Sequence, residues 1–490
     1  MQYSTPEEQG IRSEQILNYV LKLEENRLAT HDILIMRHGK VIYEAYWEPF
    51  HKDFLHRMYS VSKCFVSLAI GFLLQEGKVS LDDPISKYFP EELKNQPDEN
   101  MQNQTIRHML MMAPAKSPKK WFDEHPTDRV RQYFDNDRKE SRPSGTIFQY
   151  DSSGSFVLGA LVERLTEKKL LDYLRDCFLD EIGFSEDAYF LTCPGGHSWA
   201  DSGLLCTPAD LLLVAQFVMN EGNWNGKQLL NSTYIKEATR KQIDNSILNT
   251  EEWDTHGYGF QFWRTHDNSY FFNGLGCQFA ICVPDKDLIF IYNGDNQGRP
   301  SAEKMIIDNF FDLIARTSED QALNEDEESL LRLVRYSSKL SLAHVIGGTT
   351  SPMSDEIQDK TYLLDENPMG MVKLRFHFHD NIGTMYYTNA QGDKQLSFGL
   401  GENAYSRFPQ DGYSDEIGGV PGNRRYRQAA SGAWVDTHTL LVKVQIIDNY
   451  LGNLHMMFSF DGNRVGIHMV KKAEAFLEEY EGFAGGMIAD

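Results

Sequence analysis

The sequence predicts an α+β fold, an antiparallel sheet interrupted by a long helical insertion, followed by a smaller β-rich domain shaped as a barrel or a sandwich. Three observations predict it. Strand-like runs open the chain at 33–47 and return at 257–292, the stretch from about 60 to 241 carries apolar residues at helical spacing, and an acidic segment precedes a strand-rich remainder.

Each element has its own signal. The β-rich runs 33–37 and 41–47 flank His38-Gly39-Lys40, a hairpin with a glycine in its turn. Helices are expected at 65–74, 106–112, 156–165, 170–178 and 209–218, the last opened by Thr207-Pro208, an N-cap followed by proline at the first helical position. Strands are expected at 257–263, 270–272, 278–283 and 288–292, with Pro284-Asp-Lys-Asp287 turning between the last two. A helix from an N-cap at Ser301 to about Ala315 closes a first domain at 316. Residues 317–329 read as an acidic linker that leads into a short helix at 330–336. The domain 317–490 shows strands at 372–379, 384–388, 440–447, 454–460 and 465–470, a spacing that suits a small β-barrel.

Composition narrows the function classes. The 71 acidic side chains exceed the 48 basic ones, for a net charge of −23, which makes nucleic acid and anionic membranes poor partners. The longest apolar run, 64–74, is too short to span a bilayer. No basic and apolar leader opens the sequence, so a cytoplasmic location is expected. The six cysteines form no C-x-x-C pair and read as reduced core thiols rather than disulfides or a zinc site.

The chemistry concentrates at Met58-Tyr-Ser60-Val-Ser-Lys63, which opens an apolar helix. A serine with a lysine three residues on places hydroxyl and amine on one helical face, within hydrogen-bonding reach. The same spacing recurs at Ser117/Lys120, in a polar, proline-broken stretch, and at Ser301/Lys304, where the serine is better explained as a cap. Only Ser60 opens a helix that is apolar nearly all round and must therefore be buried. Downstream, Phe148-Gln-Tyr150-Asp-Ser152 precedes another apolar helix, and Phe271-Phe-Asn-Gly274-Leu-Gly276 is a glycine-punctuated edge that runs into a strand. His377 and His379 lie two apart on a predicted strand and could bind a metal with His455 or His468. The polar side of a strand is the plainer reading, and no metal is expected.

In the order and spacing of these motifs the chain resembles the serine β-lactamase-like hydrolases, among them class C β-lactamases, penicillin-binding DD-peptidases, family VIII esterases, D-aminopeptidases and 6-aminohexanoate-dimer hydrolases. The resemblance covers about residues 5–315 and includes Thr5-Pro-Glu-Glu-Gln-Gly10, Gly77-Lys-Val-Ser-Leu-Asp-Asp-Pro84 and Ser202-Gly-Leu-Leu-Cys-Thr-Pro-Ala-Asp210. It implies Ser60 as acylated nucleophile, Lys63 and Tyr150 as general base and acid, and an oxyanion hole from the backbone N–H groups of Ser60 and Leu275. It also implies substrate contacts from Ser152, Phe272, Asn273, Gly274 and Tyr59, without a cofactor. Trp121 and Trp199 are candidates for pocket wall or core, and Asp151 and Arg142 for solvated or structural roles.

Two departures from the family shape the expected substrate. Ser152 stands where the family's Y-x-N element has Asn, and Phe272 stands where relatives carry the cation of K-T-G or H-x-G. The resemblance also implies a T-x-S-G element near Met111-Met-Ala-Pro-Ala115, which this chain lacks. Without the cation, β-lactams and D-Ala-D-Ala peptides, which carry a carboxylate there, are disfavoured. A small ester, an amide or a short peptide is the expected substrate. Some relatives with a C-terminal β-barrel use it to cover the cleft or to assemble homo-oligomers, and residues 317–490 are expected to do one of these. The alternative is a non-catalytic binding or regulatory protein on a degenerate form of the fold.

Overall fold

The computed structural model describes the chain except residues 94–97, 123–125, 136–139, 248–253, 413–416, 418–423, 474–475 and 490. It divides into two compact units, Met1–Ser341 with Glu416–Gly419, and Leu342–Asp415 with Val420–Asp490.

In the first unit seven strands form one sheet in the order Gln2–Tyr3, Lys40–Tyr46, Thr30–Arg37, Leu288–Gly294, Gln278–Val283, Tyr270–Gly274 and Trp263–Arg264. Every pairing is antiparallel except that of the first strand with Lys40–Val41. The hairpin turn places both His38 and Gly39 at positive φ, 48° and 71°, which matches the twist of the flanking strands. The sheet closes across the insertion, with Ile33 opposite Tyr292 and Ile35 opposite Phe290. Helices Ser13–Glu25 and Ala302–Phe310 cover one face, where Ile16, Val20, Phe290, Ile306 and Phe310 are buried in one core.

The insertion supplies helices Ser62–Gln75, Ile106–Leu110, Ser152–Thr166, Leu170–Leu174 and Pro208–Met219. Thr207 caps the last of these as expected, its Oγ1 accepting from the Asp210 N–H at 3.1 Å while Asp210 accepts from the Thr207 N–H. Ser301 makes no side-chain cap and lies in helical backbone, contrary to its expected role. The strand expected over 257–263 is shortened to Trp263–Arg264 because Gln261 takes a φ of +67°. Its buried side chain bonds the carbonyls of Met109 and Leu110 and the hydroxyl of Ser155, tying two helices to the sheet edge.

The boundary between units falls after Ser341 rather than after residue 316. Residues 317–329, read as a linker, lie against the first unit instead, where Glu319 N–H donates to Gly10 O and Leu323 N–H to Glu7 O, each at 2.8 Å. The helix that follows, Glu327–Ser337, buries Leu333 in the first unit's core. Charge alone made this segment look solvated; its backbone hydrogen bonds left no trace in composition.

In the second unit nine strands among the described residues close into a barrel, antiparallel throughout except where Gly399–Leu400 meets Ser431–Gly432 in parallel and seals the ring. Alternate residues point inward, as Leu440, Val442, Val444 and Ile446 do along Thr439–Ile447. Aromatic rings fill the interior, with Phe376 edge-on to Phe458 at 4.9 Å. Among the described residues no helix is long and apolar enough to cross a membrane.

Candidate active site

A short strand, His56–Arg57, leads through a single helical turn, Tyr59–Val61, into the helix Ser62–Gln75. Tyr59 sits at φ +45°, an uncommon conformation for a residue with a full side chain, and the Arg57 guanidinium lies 4.4 Å above its ring. This bend sets Ser60 at the mouth of a helix whose residues from Ser62 to Leu73 are all buried. The Ser60 hydroxyl is thereby half-buried, while Lys63 behind it is only 1 % exposed. Lys63 Nζ donates to Ser60 Oγ at 2.9 Å and to the backbone carbonyl of Asp201 at 2.7 Å.

Tyr150 enters from the segment before helix Ser152–Thr166, its ring centre 5.0 Å from Lys63 Nζ. It stacks on Trp263 at 5.6 Å and meets Tyr258 edge-on. The hydroxyl makes no hydrogen bond among the described residues. Ser152 begins the helix beside it, half-buried, and Asp151 is a buried cap residue that accepts from the Ser153 hydroxyl. Burial pushes the Asp151 carboxyl above the usual range, so it is structural rather than solvated.

The facing wall is the strand Tyr270–Gly274. A side chain at Gly274 would place its Cβ 2.3 Å from the Met58 carbonyl oxygen, so glycine is what lets this strand approach the serine loop. The chain then turns tightly through Gly276 and Cys277, both at positive φ, leaving Leu275 40 % exposed. Phe272 does not line an open pocket: it is fully buried, edge-on to Phe262 at 5.1 Å. Asn273, one residue on, is half-buried. Trp121 and Trp199 are buried and tilted against each other, with Trp121 Nε1 donating to Asp201 Oδ2 at 3.3 Å. The structure thus brings Ser60, Lys63, Tyr150 and the glycine edge together and withdraws Phe272 and the tryptophans into the interior.

Sequence reasoning missed Asp201, whose carbonyl holds Lys63, and Trp263, which supports the Tyr150 ring. A backbone acceptor has no residue signature, and Trp263 read only as the end of a strand. Of the histidines weighed as metal ligands, His377 bonds Asp359 at 3.1 Å, His379 lies 3.3 Å from Asp380, and His468 stacks on Phe483. Among the described residues no group of three or more His, Cys, Asp or Glu side chains gathers as a metal site.

Beneath the serine loop, His31 Nδ1 and His56 Nε2 share a hydrogen bond of 2.6 Å, with the His31 ring stacked on Phe50 at 3.7 Å. Burial pulls the His56 pKa down from 6.5 to about 4. Between those values the unfolded chain binds the proton and the folded one does not, so stability present above pH 6.5 drains away as pH falls toward 4. About 3 kcal/mol is expected to be lost over that interval. Denaturant midpoints at pH 6.5 and 4.5 should show a smaller drop for His56→Gln than for the wild type, and an equal drop would discount the pair.

The Beta-lactamase family model matches residues 22–307. The chain belongs to the Beta-lactamase family. Among curated relatives, the 6-aminohexanoate-dimer hydrolase of Paenarthrobacter ureafaciens is 22% identical over 299 residues, which is 56% of this chain and 74% of that protein. Among solved structures, the octameric penicillin-binding protein homologue from Pyrococcus abyssi aligns over 96% of this chain and 99% of its own, with a TM-score of 0.51 at 14% identity. EstCE1, a hydrolase with promiscuous acyltransferase activity, covers 61% of this chain and 98% of its own, with a TM-score of 0.50 at 16% identity. At these identities the structures establish the Beta-lactamase fold, and the first of them extends over both units.

Proposed function

We propose that this Beta-lactamase family member is a serine hydrolase that cleaves a small ester or amide through an acyl-enzyme on Ser60. The contact of 2.9 Å between a buried lysine amine and a half-exposed serine hydroxyl carries this reading. Ser60 Oγ attacks the substrate carbonyl carbon, and its proton passes to Lys63 Nζ along that contact. Tyr150 shares the proton transfer and returns one to the leaving alcohol or amine, after which water attacks the acyl carbon and frees Ser60. The backbone N–H groups of Ser60 and Leu275 receive the developing oxyanion. The close approach of Gly274 to Met58 supports that pairing.

A fluorophosphonate probe followed by peptide mapping tests the assignment: a label on Ser60 is expected, and a label elsewhere overturns it. Tyr150→Phe is expected to lower kcat/KM for p-nitrophenyl esters by about 10²- to 10³-fold, and an unchanged value would remove the tyrosine from the proton path. The competing reading, a binding protein on this fold, is favoured by a Tyr150 hydroxyl that makes no hydrogen bond among the described residues. It predicts no probe label and no turnover. A reducing, cytoplasmic setting is supported by six cysteines that are all free.

A further inference from the structure

With no hydrogen bond to its hydroxyl among the described residues, the Tyr150 ring is placed by the groups around it: Lys63, the stacked ring of Trp263, and Tyr258 edge-on at 6.5 Å. Whatever fixes those two rings therefore fixes Tyr150. Tyr258 and Trp263 pair with each other across the base of a tight turn, inside which Gly259 N–H donates to Phe262 O at 2.8 Å. Gln261 stands within that turn at a φ of +67°. A glycine would take this conformation without strain. A glutamine there is strained, and the bonds of its side chain offset the strain.

The Gln261 side chain is 1 % exposed, and both ends of its amide are engaged. Nε2 donates to the carbonyls of Met109 at 3.1 Å and Leu110 at 2.9 Å, while Oε1 accepts from the Ser155 hydroxyl at 2.6 Å. The backbone is held too, its N–H donating to Leu110 O at 3.0 Å and its carbonyl accepting from Cys64 Sγ at 3.1 Å. Cys64 follows Lys63 directly, and Ser155 lies in the first turn of the helix Ser152–Thr166 that Tyr150 leads into. One residue thus touches the helix that carries Lys63 and the helix that follows Tyr150, and it belongs to the turn that cages the Tyr150 ring.

We propose that Gln261 is a positioning residue for the hydrolytic reaction, which holds Tyr150 over Lys63 by tying the helix Ser152–Thr166 and the rings of Tyr258 and Trp263 to the helix Ser62–Gln75. It touches neither substrate nor reacting atoms and acts through the tyrosine, so the inference rests on the assignment of Tyr150 to proton transfer. Its side-chain bonds are not needed to satisfy the backbone. Met109 O also accepts from Met112 N–H at 3.2 Å, Leu110 O from Gln261 N–H, and the Ser155 hydroxyl lies 3.4 Å from Asp151 O. What those bonds set is the distance between Tyr150 and Lys63, and a displacement of about 1 Å between reacting groups costs on the order of 100-fold in rate.

A double-mutant cycle with Tyr150→Phe tests the proposal. Gln261→Met keeps the length of the side chain and removes its three hydrogen bonds, to Met109, Leu110 and Ser155. It is expected to lower kcat for p-nitrophenyl esters about 10- to 100-fold, with KM changed less than about threefold. In the Tyr150→Phe background the same substitution is expected to cost less than about threefold, because the group it positions has lost its proton. Ser155→Ala removes a single bond and is expected to repeat the pattern at smaller size, which keeps the test open should Gln261→Met fold poorly. Equal losses in both backgrounds, or a loss carried by KM, show a merely structural role and overturn the proposal, as does a Gln261→Met enzyme with wild-type kcat. The two readings fail in different ways. A wild type without turnover, or Tyr150→Phe at the wild-type rate, overturns the tyrosine's assignment and this inference with it; a slow Tyr150→Phe with additive losses overturns this inference alone.

Discussion

Ser60→Ala is expected to lower kcat for p-nitrophenyl esters by on the order of 10⁴-fold or more, with KM changed far less. The substitution removes one oxygen and leaves the backbone in place. Lys63 keeps its bond to the Asp201 carbonyl, so the surrounding pocket remains formed and substrate still binds. What disappears is the oxygen proposed to form the acyl bond, and the loss is therefore expected on the chemical step. Residual turnover within about tenfold of the wild type would show that another group is the nucleophile. A stopped-flow burst of p-nitrophenol, present in the wild type and absent in the variant, would add the acyl-enzyme itself to the evidence.

Gly274→Val has the second largest expected effect, and it acts through geometry alone. Its Cβ would fall 2.3 Å from the Met58 carbonyl oxygen, a backbone atom two residues before Ser60 that has no rotamer to escape into. Either the strand Tyr270–Gly274 or the serine loop must move by about an ångström. A displacement of that size costs about 100-fold in rate where reacting groups must align. Forced overpacking costs a further 1–3 kcal/mol or so of stability. Activity and the unfolding midpoint are thus expected to fall together. A variant with wild-type kcat/KM would show that the strand need not lie against the serine loop.

Much of this was legible in the sequence, and the reasons differ by element. The hairpin at 33–47 and the strands near 280 and 290 announced themselves through unbroken β-branched and aromatic runs, and Ser60 stood out because its helix is apolar all round. The barrel strands Arg427–Trp434 and Gly482–Ile488 did not, because several of their inward positions are small. Gly432 lies where a Cβ would meet the Phe398 ring at 2.6 Å, so the bulk that fills this part of the barrel comes from a partner strand. The burial of Phe272 was equally hidden. Its identity suggested a pocket wall, but its strand neighbours place it against Phe262, and only the register decides between the two.

The sheet of the first unit also has a history in time. Its central pairing, Thr30–Arg37 with Leu288–Gly294, joins segments about 260 residues apart. At 5–20 residues per second these leave the ribosome roughly 13 to 50 s apart. Throughout that interval Ile33, Leu34, Ile35 and Met36 line an open strand edge with only the hairpin for cover, a surface on which nascent chains can pair with one another. The arrangement that lets one sheet frame a helical insertion therefore leaves its central strand without its partner until residue 294 has been made.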